Sequence, residues 1–446
     1  MKTAKFLKSP LGMIGLIVLV IFFLAGVYAP VLASSKPFVV KMNGEWYFPW
    51  FRYLFFQGYY TKPVDIFFNL FMFTLPFMGI FWRKSLYILG LQFALFLAIW
   101  LFPLSDPASD IQLAKARQQK IEQGEKPDFH FEVAHQSLYK KLNRVTEALR
   151  KKKHHERITS HLDQDFKAFT PYELQKAEDE LDLSYGEAKA NWLNKQNIEF
   201  ILWPLIREFH WQDDAGGDQR LNQKLPWYEL TRINRKDLVA SLLFGIRISL
   251  MVGVLAIAIA LLIGIPIGAL AGFMGGRADL LISRLIEVWE AMPAFFMLLL
   301  IVAILESKSI FIVIAVIGIF GWTTIARYIR GEFFKERKLP YVEACTVMGF
   351  SPFYTMMHHI LPNAIPPVLT LLPFAILGAI TSEAGLSFLG LGEEGSTSWG
   401  VLMDEGRQAF PGESYLLWPP AFMLTTLLVA IALVGDALRD VLDPKS

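Results

Sequence analysis

The sequence has only one cysteine, Cys345, in 446 residues, so no disulfide can form within the chain. No segment matches GxxxxGKS/T, the phosphate-binding loop of ATPases, so we do not expect this chain to hydrolyse ATP. Histidines 154, 155 and 161 have no cysteine nearby, and an HExxH motif starting at His155 would need histidine where Thr159 stands. A net charge of +2 does not point to nucleic acid. The sequence therefore predicts no catalytic residue, metal or cofactor site in this chain.

One nucleotide-binding pattern is present but lies in the wrong context. Residues 390–395, GLGEEG, match GxGxxG. The dinucleotide-binding motif follows a strand of a βαβ unit and opens a helix, whereas this match follows an apolar, span-length segment. We interpret it as an external loop.

Apolar residues are abundant, at 54% of all positions. Several apolar runs reach about 18 residues, the length needed to cross about 30 Å of hydrocarbon. The sequence therefore predicts an all-α polytopic membrane protein. We place eight spans at roughly 11–33, 64–82, 85–104, 243–272, 280–305, 309–327, 366–389 and 419–436.

Basic residues predict the orientation of these spans. Positive charges concentrate in the short loops of one side, and the opposite short loops carry little beyond Lys308 and Arg407. Lys and Arg favour the cytoplasmic side, so both termini are predicted to be cytoplasmic. We expect the first span to be retained, because its apolar run is longer than the core of a cleaved signal peptide.

Residues 341–363, here called the docking segment, form a compact element between long apolar runs. Pro340 suits a first helical position and Gly349 a helix C-terminus, and Ser351 and Pro352 are typical of a second helix start. Pro362 is predicted to end that second helix. Two apolar stripes follow helical spacing, namely Tyr341, Ala344, Cys345, Met348 and then Phe353, Met356, Met357, Ile360. Such a knob at a membrane surface suits docking of a soluble partner.

Glycines and charges within the spans suggest structural and functional roles. Gly264, Gly268 and Gly272 lie four apart on one helix face, which predicts close helix packing. Ionisable groups in a membrane are candidates for function, and a structural ion pair is the alternative. The possible pathway or ion-pair residues are Arg284, Glu287, Glu290 and Glu383, with the same alternatives open for Arg247.

Three further regions separate the first span from the later ones. Residues 36–63 are aromatic, with Asn43-Gly44 as a predicted hairpin turn, and the stretch from Phe200 to Trp211 is expected to pack with them. Residues 64–104 form an inserted hairpin of two spans, with a re-entrant or surface hairpin as the alternative. Residues 105–240 form a mostly helical external insertion, with helices at 114–125, 138–155 and 171–196. We interpret it as a solvated insertion, and a docking surface is the alternative.

The docking segment resembles the "EAA" loop of permease subunits of bacterial ABC importers. The resemblance rests on Glu343-Ala344, Gly349 and residues 359–363, HILPN, and it extends to the second (C-type) permease of dipeptide and oligopeptide systems. Further blocks in the same order support it: AGFMGG at 271–276, ARYIRGE at 326–332, LSFLGLG at 386–392, SWG at 398–400 and GDALRD at 435–440.

This resemblance implies a type I importer core of six spans, here residues 1–35 and 241–446, with the cytoplasmic loop at 331–363. It also implies a non-catalytic inner-membrane subunit that pairs with a different permease. Two ATPase subunits would bind ATP and magnesium, and an external solute-binding protein would deliver peptides. The coupling residues it implies are Glu343, Ala344, Gly349, His359, Leu361, Pro362 and Asn363. Gly349→Asp is expected to uncouple transport. A nickel chelate or a peptide-like antibiotic remains an alternative cargo, and a membrane scaffold for the insertion an alternative function.

Overall fold

Helices of span length dominate the fold of this chain in a computed structural model. It describes residues 6, 9–33, 38–42, 44–48, 50, 51, 54, 55, 62–102, 138, 141, 142, 144, 145, 148, 170–194, 197–205, 238–305, 309–393, 396–408 and 417–442. The predicted helix at 114–125 and the histidines at 154, 155 and 161 lie outside these ranges.

The described elements fall into two compact units. The first unit contains α1 (Pro10–Val27) and everything from α5 onward; the second contains the sheet and helices α2 to α4. The second unit consists of β1 (Val39–Met42), β2 (Glu45–Tyr47), α2 (Pro63–Ile80), α3 (Ser85–Leu101), α4 (Pro171–Asn194) and β3 (Ile198–Leu202). The first unit continues with α5 (Leu238–Met274), α6 (Gly276–Ala291), α7 (Ala294–Leu305), α8 (Ile310–Glu336), α9 (Pro340–Val347), α10 (Pro352–Tyr354), α11 (Leu361–Leu369), α12 (Leu372–Leu386), α13 (Trp399–Gln408) and α14 (Trp418–Leu442).

Seven described helices are long and apolar enough to cross a membrane, and an eighth crossing results if α6 and α7 count as one. Six of the predicted spans coincide with α1, α2, α3, α5, α8 and α14. The predicted span at 280–305 is divided into two helices: α6 and α7 are together long and apolar enough for one crossing, but they meet at an angle of 73°. Pro293 explains the bend: it disfavours helical backbone at Met292, which is extended at φ −81° and ψ 126°.

The predicted span at 366–389 also differs from the structure. Leu361–Leu369 and Leu372–Leu386 are separate helices, and the second continues as a wide π turn to Leu391. Pro373 lies in the first turn of α12 and has no N–H to continue the hydrogen bonding of α11.

Close packing of α5 on α8 forms the centre of the first unit. A β-carbon built on Gly264 would lie 2.7 Å from the carbonyl oxygen of Trp322, and one on Gly268 would lie 2.3 Å from that of Ala326. On Gly272 it would lie 2.5 Å from the β-carbon of Phe333. The predicted role of these three glycines in close helix packing is confirmed.

A three-stranded sheet lies in the second unit, with strands in the order β2-β1-β3 and both pairings antiparallel. Gly44 has φ +81°, the left-handed conformation that the predicted hairpin turn requires. The expected packing of the stretch after Phe200 is confirmed as far as Leu202, and Trp211 lies outside the described residues.

The inserted hairpin consists of two antiparallel helices, and α2 continues through Pro76. Gln92 is fully buried between them: its side-chain oxygen accepts a hydrogen bond from Thr74 Oγ1 (2.6 Å), and its Nε2 donates to the Phe67 carbonyl (3.3 Å). Polar contacts of this kind hold helices together in lipid, where the hydrophobic effect does not.

Helix α4 confirms the helix predicted at 171–196. It begins with a capping box, in which Thr170 and Glu173 each bind the other's backbone N–H. Leu174 packs with Val145 and Ala148 of the region predicted as helical at 138–155.

Candidate functional site

The docking segment begins where α8 ends, and its first helix is α9. Pro340 occupies the first helical position, as predicted. At the other end, Gly349 has φ +79° and its N–H binds the Thr346 carbonyl (3.0 Å), while the Phe350 N–H binds the Cys345 carbonyl (3.0 Å). These two bonds define a Schellman motif, which normally requires glycine at the left-handed position.

The second helix begins as the sequence predicts. Ser351 Oγ accepts a hydrogen bond from the Tyr354 N–H (3.2 Å), and Pro352 follows it. The prediction that Pro362 ends this helix is wrong, because helical backbone continues to Leu369. A π turn at Thr355–Ile360 precedes the proline, and the Leu361 N–H bonds to the Met356 carbonyl five residues back. This wider turn accommodates a proline ring that would clash in a regular helix.

One face of the docking segment is buried against the spans. Val342, Met356 and Ile360 belong to an apolar cluster that also contains Phe333 of α8 and Ala269 of α5. The docking segment therefore shares a core with the tightly packed α5–α8 pair. We therefore expect a displacement of the docking segment to reach α5 and α8 through side chains in contact.

The opposite face is apolar and exposed. Val347 is 88% exposed, Phe353 68% and Met348 63%. The predicted stripes are therefore partly wrong: Cys345, Met356 and Ile360 face inward, whereas Ala344, Met348, Phe353 and Met357 are exposed and Tyr341 is half-buried. Heptad spacing alone cannot distinguish these two faces, because both are apolar. Exposed apolar surface in a cluster marks an interaction site.

Arg330 of α8 and Arg337, which follows its last residue, attach the end of α8, just before the docking segment, to α6 and α5. Arg330 binds the Asp279 carboxylate through both Nε and Nη2, the latter at 3.0 Å. Arg337 Nη1 donates to the carbonyls of Gly272 (3.1 Å) and Phe273 (3.3 Å) at the end of α5. Backbone carbonyls at a helix end lack partners within the helix, so arginine satisfies them and complements the helix dipole.

Tyr341, the first residue of the docking segment, contacts Glu336, the last residue of α8. Its hydroxyl donates to Glu336 Oε2 at 2.7 Å. Burial and this hydrogen bond raise the pKa of Tyr341 above its usual range, so the phenol stays protonated and able to donate.

The other predicted coupling residues surround this core. Glu343 is exposed in the first turn of α9, where a carboxylate complements the positive end of the helix dipole. His359 is half-buried, and its ring stacks on Phe350 with centroids 5.8 Å apart. Asn363 Nδ2 donates to the His359 carbonyl (2.9 Å). Leu361 is half-buried and Pro362 exposed.

The charged residues of α6 form ion pairs. Arg284 pairs with Glu287 one turn away, as their spacing predicts, and Glu290 pairs with Arg327 of α8. All four side chains are at least one-third exposed.

Glu383 lies apart from these charges, buried in α12. Its Oε1 accepts hydrogen bonds from Ser387 Oγ (2.7 Å) and Ser398 Oγ (2.6 Å). Ser398 Oγ also accepts the Gly400 N–H (3.2 Å), so Glu383 fastens the start of α13 to α12.

Arg247 is a buried cation of α5 that contacts the end of α1. Its Nε donates to the Gly26 carbonyl (2.6 Å) and its Nη2 to the Val27 carbonyl (3.1 Å). Its guanidinium lies over the Phe244 ring, 4.8 Å from the centroid. These contacts favour the structural interpretation of Arg247.

Neutralising Asp279 tests whether the contact with Arg330 holds the docking segment in place. We expect Asp279→Asn to raise the rate of tryptic cleavage at Arg337 and Lys338 about tenfold in the purified chain. Removing one partner of a partly buried, two-point ion pair costs about 1–3 kcal/mol. Glu287→Gln is the matched control, because it breaks an exposed pair on the same helix that is worth less than about 1 kcal/mol. Equal cleavage rates in the two variants would contradict the role assigned to Asp279.

The helices of span length indicate an integral membrane protein, and they share a core with a helix pair whose outer face is apolar and exposed. The family described as binding-protein-dependent transport system inner membrane component matches residues 264–446. The N-terminal TM domain of oligopeptide transport permease C matches residues 3–49.

Relatives with curated names agree with the family match. The chain is 34% identical over 254 residues to the oligopeptide transport system permease protein OppC of Bacillus subtilis, covering 56% of this chain and 83% of that protein. It is 36% identical over 216 residues to OppC of Haemophilus influenzae, covering 48% of this chain and 69% of the relative. The chain therefore belongs to the binding-protein-dependent transport system inner membrane component family, a family of transmembrane ABC permeases.

Coverage varies among these relatives. The peptidoglycan transport system permease protein YejE of Agrobacterium fabrum is 35% identical over 211 residues, which are 47% of this chain and 55% of that protein. A solved methionine ABC transporter matches 45% of this chain and 96% of its own chain at 18% identity, with a TM-score of 0.38.

Sequence reasoning found the docking segment but missed what attaches it. Asp279 and Arg330 lie 51 residues apart, and Arg337 and Gly272 lie 65 apart. No local spacing predicts such pairs. What the sequence does show is that Asp279, Arg330 and Arg337 are charged residues next to membrane spans, where an ionisable group needs a partner.

Proposed function

We propose that this chain is the permease subunit of an ATP-driven ABC importer that moves peptides across the bacterial inner membrane. The observation that carries the proposal is the docking segment, whose exposed apolar face is joined through Val342 and Ile360 to the core of the α5–α8 pair. The names of the relatives support peptides as cargo.

The proposed assembly has four further subunits. A different permease pairs with this chain, two ATPase subunits bind ATP and magnesium, and a solute-binding protein delivers the peptide. In this arrangement the chain itself is not catalytic. Both termini and the docking segment lie in the cytoplasm, where the ATPase subunits bind, as the distribution of lysine and arginine favours.

Rigid transmission is the proposed mechanism. An ATPase subunit holds Val347, Met348 and Phe353 and moves them when ATP drives its closure. The displacement passes through the Met356–Phe333 core and the Asp279–Arg330 contact into α5, α6 and α8. Because α5 and α8 pack at backbone contact along the glycine face, these two helices shift together rather than deforming one by one.

Charging the exposed face should prevent binding of the ATPase. We expect Met348→Asp to reduce the ATPase recovered with the affinity-purified chain at least about tenfold, because a buried, unpaired carboxylate costs several kcal/mol at an interface. Tyr172→Asp is the control, since Tyr172 is 79% exposed on α4 of the second unit. Unchanged recovery with Met348→Asp would show that this face does not bind the ATPase.

Uptake of labelled di- to pentapeptides by cells that carry the full system tests the cargo. We expect uptake that depends on ATP and on this chain. If wild-type cells take up no peptide while the ATPase still copurifies with the chain, the cargo is another solute, such as a nickel chelate or a peptide-like antibiotic. If uptake is absent and no ATPase binds, the chain acts as a membrane scaffold.

A further inference from the structure

One face of the three-stranded sheet presents a row of exposed aromatic rings. Lys41 of the central strand lies opposite Trp46 on one side and Phe200 on the other, so the three side chains share a face. Trp46 is 55% exposed and Phe200 47%, and their rings contact each other edge to face at 6.1 Å. Phe48 and Leu202 are about half exposed as well. Apolar side chains exposed together in this way mark a surface that contacts another protein or a membrane.

The charges on this face cancel. Lys41 forms an ion pair with Glu199, and this hydrogen bond holds the pKa of Glu199 below its usual range. The Lys41 ammonium also lies 5.8 Å from the centre of the Trp46 ring. The face formed by Trp46, Lys41 and Phe200 is therefore aromatic, and its one positive charge is balanced by Glu199.

Contacts within the second unit place this sheet beside α2. The Phe38 ring, next to β1, packs on the buried Trp50 with centroids 5.1 Å apart. Four residues later, the Leu54 carbonyl accepts a hydrogen bond from Asn69 Nδ2 of α2 (2.7 Å). The Phe55 ring lies 6.3 Å from that of Phe73, one turn further along α2.

These contacts set the depth of the sheet relative to α2. At 1.5 Å per residue, Asn69 lies about 9 Å and Phe73 about 15 Å along a helix about 27 Å long, so Leu54 and Phe55 lie well inside the span. Four residues of chain reach at most about 14 Å, so Trp50 lies no more than about 5 Å beyond the start of α2. The headgroup layer on each side of a bilayer is about 5–7 Å thick. The part of the sheet that contacts Trp50 therefore lies no farther from the hydrocarbon than the headgroup layer.

We propose that the Trp46–Lys41–Phe200 face lies in the headgroup layer of the bilayer that α2 and α3 cross. Tryptophan favours this boundary because its ring is apolar with one polar N–H, and lysine extends its ammonium to the headgroups while its stem stays in apolar surroundings. The sheet then fixes the hairpin at one membrane surface, independently of what the transporter carries.

Spin-label accessibility tests this placement in the full-length chain. The single cysteine makes labelling specific: Cys345→Ala supplies a cysteine-free background, into which Trp46→Cys and Phe200→Cys are introduced. Two reference sites in the same unit are Phe77→Cys on the exposed side of α2 and Tyr172→Cys on the charged helix α4. The labelled chains are reconstituted in liposomes of phosphatidylethanolamine and phosphatidylglycerol. The ratio of collision rates with oxygen and with a water-soluble nickel complex is then measured.

Placement in the headgroup layer predicts an oxygen-to-nickel ratio at positions 46 and 200 that is at least about twofold above that at position 172 and below that at position 77, because oxygen concentrates in the hydrocarbon layer and the nickel complex is excluded from it. A ratio equal to that at position 172 would place the face in water and overturn the proposal. Low collision rates with both reagents would show that protein covers the face, which also overturns it. If Trp46→Cys does not fold, Leu202→Cys replaces it under the same criteria.

Discussion

Alanine at Gly268 is expected to lower the unfolding temperature of the detergent-purified chain by roughly 8 °C. The new β-carbon would lie 2.3 Å from the Ala326 carbonyl oxygen and 2.9 Å from its α-carbon. Both are backbone atoms, so no side-chain rotation relieves the overlap and α5 must move away from α8. Overpacking of this kind costs about 3 kcal/mol, which corresponds to several degrees for a unit of this size.

Gly331→Ala is the matched control on the same helix pair. A β-carbon there meets no atom within 4 Å, although Gly331 lies inside α8. Alanine favours helix over glycine by about 0.5–1 kcal/mol, so we expect an unfolding temperature unchanged or slightly raised. Thermal scans by fluorescence-detected size exclusion measure both variants. An equal effect at the two positions would contradict close packing along the Gly264–Gly272 face.

Valine at Gly349 is expected to reduce ATP-driven uptake at least about tenfold while the amount of chain in the membrane stays the same. A β-carbon at this position meets nothing within 4 Å, so the substitution acts through the backbone alone. A β-branched residue at φ +79° costs more than the roughly 1–2 kcal/mol of an ordinary residue. The Schellman bonds of Thr346 and Cys345 then weaken, and the angle between α9 and the second helix is lost.

Asparagine at Gly349 separates backbone strain from other effects, because it adopts the left-handed region readily. We expect Gly349→Asn to keep most of the uptake. Gly349→Asp shares this tolerance, so a loss of transport in that variant alone would come from its charge beside the apolar face. Wild-type uptake with valine would show that the geometry at Gly349 is not needed for coupling.

Local chemistry explains which elements the sequence predicts well. Pro340, Gly349 and Ser351 each fix a backbone conformation or a cap that depends on neighbours a few residues away, and all three are confirmed. The glycine face of α5 is equally local, since Gly264, Gly268 and Gly272 lie on one side of any helix that contains them.

Elements that depend on distant partners or on how a helix accommodates a proline are predicted less well. The sequence does not predict the bend at Pro293, because a proline in a long apolar run can either kink the helix or lie within a helix that continues. Helix α2 continues through Pro76 in this way. Pro362 is accepted because of the π turn before it, a feature with no reliable sequence signal. The buried and exposed faces of α9 depend on where Phe333 lies, which local spacing cannot show.

The central claim is that the exposed face of the docking segment binds an ATPase subunit. A photo-crosslinking amino acid at position 348 tests it most directly, in membranes of cells that express the full system, with the same group at position 172 as control. We expect an adduct at position 348 with a subunit that carries a phosphate-binding loop, identified by mass spectrometry, and none at position 172. An adduct yield at position 348 no higher than at position 172 would contradict the account.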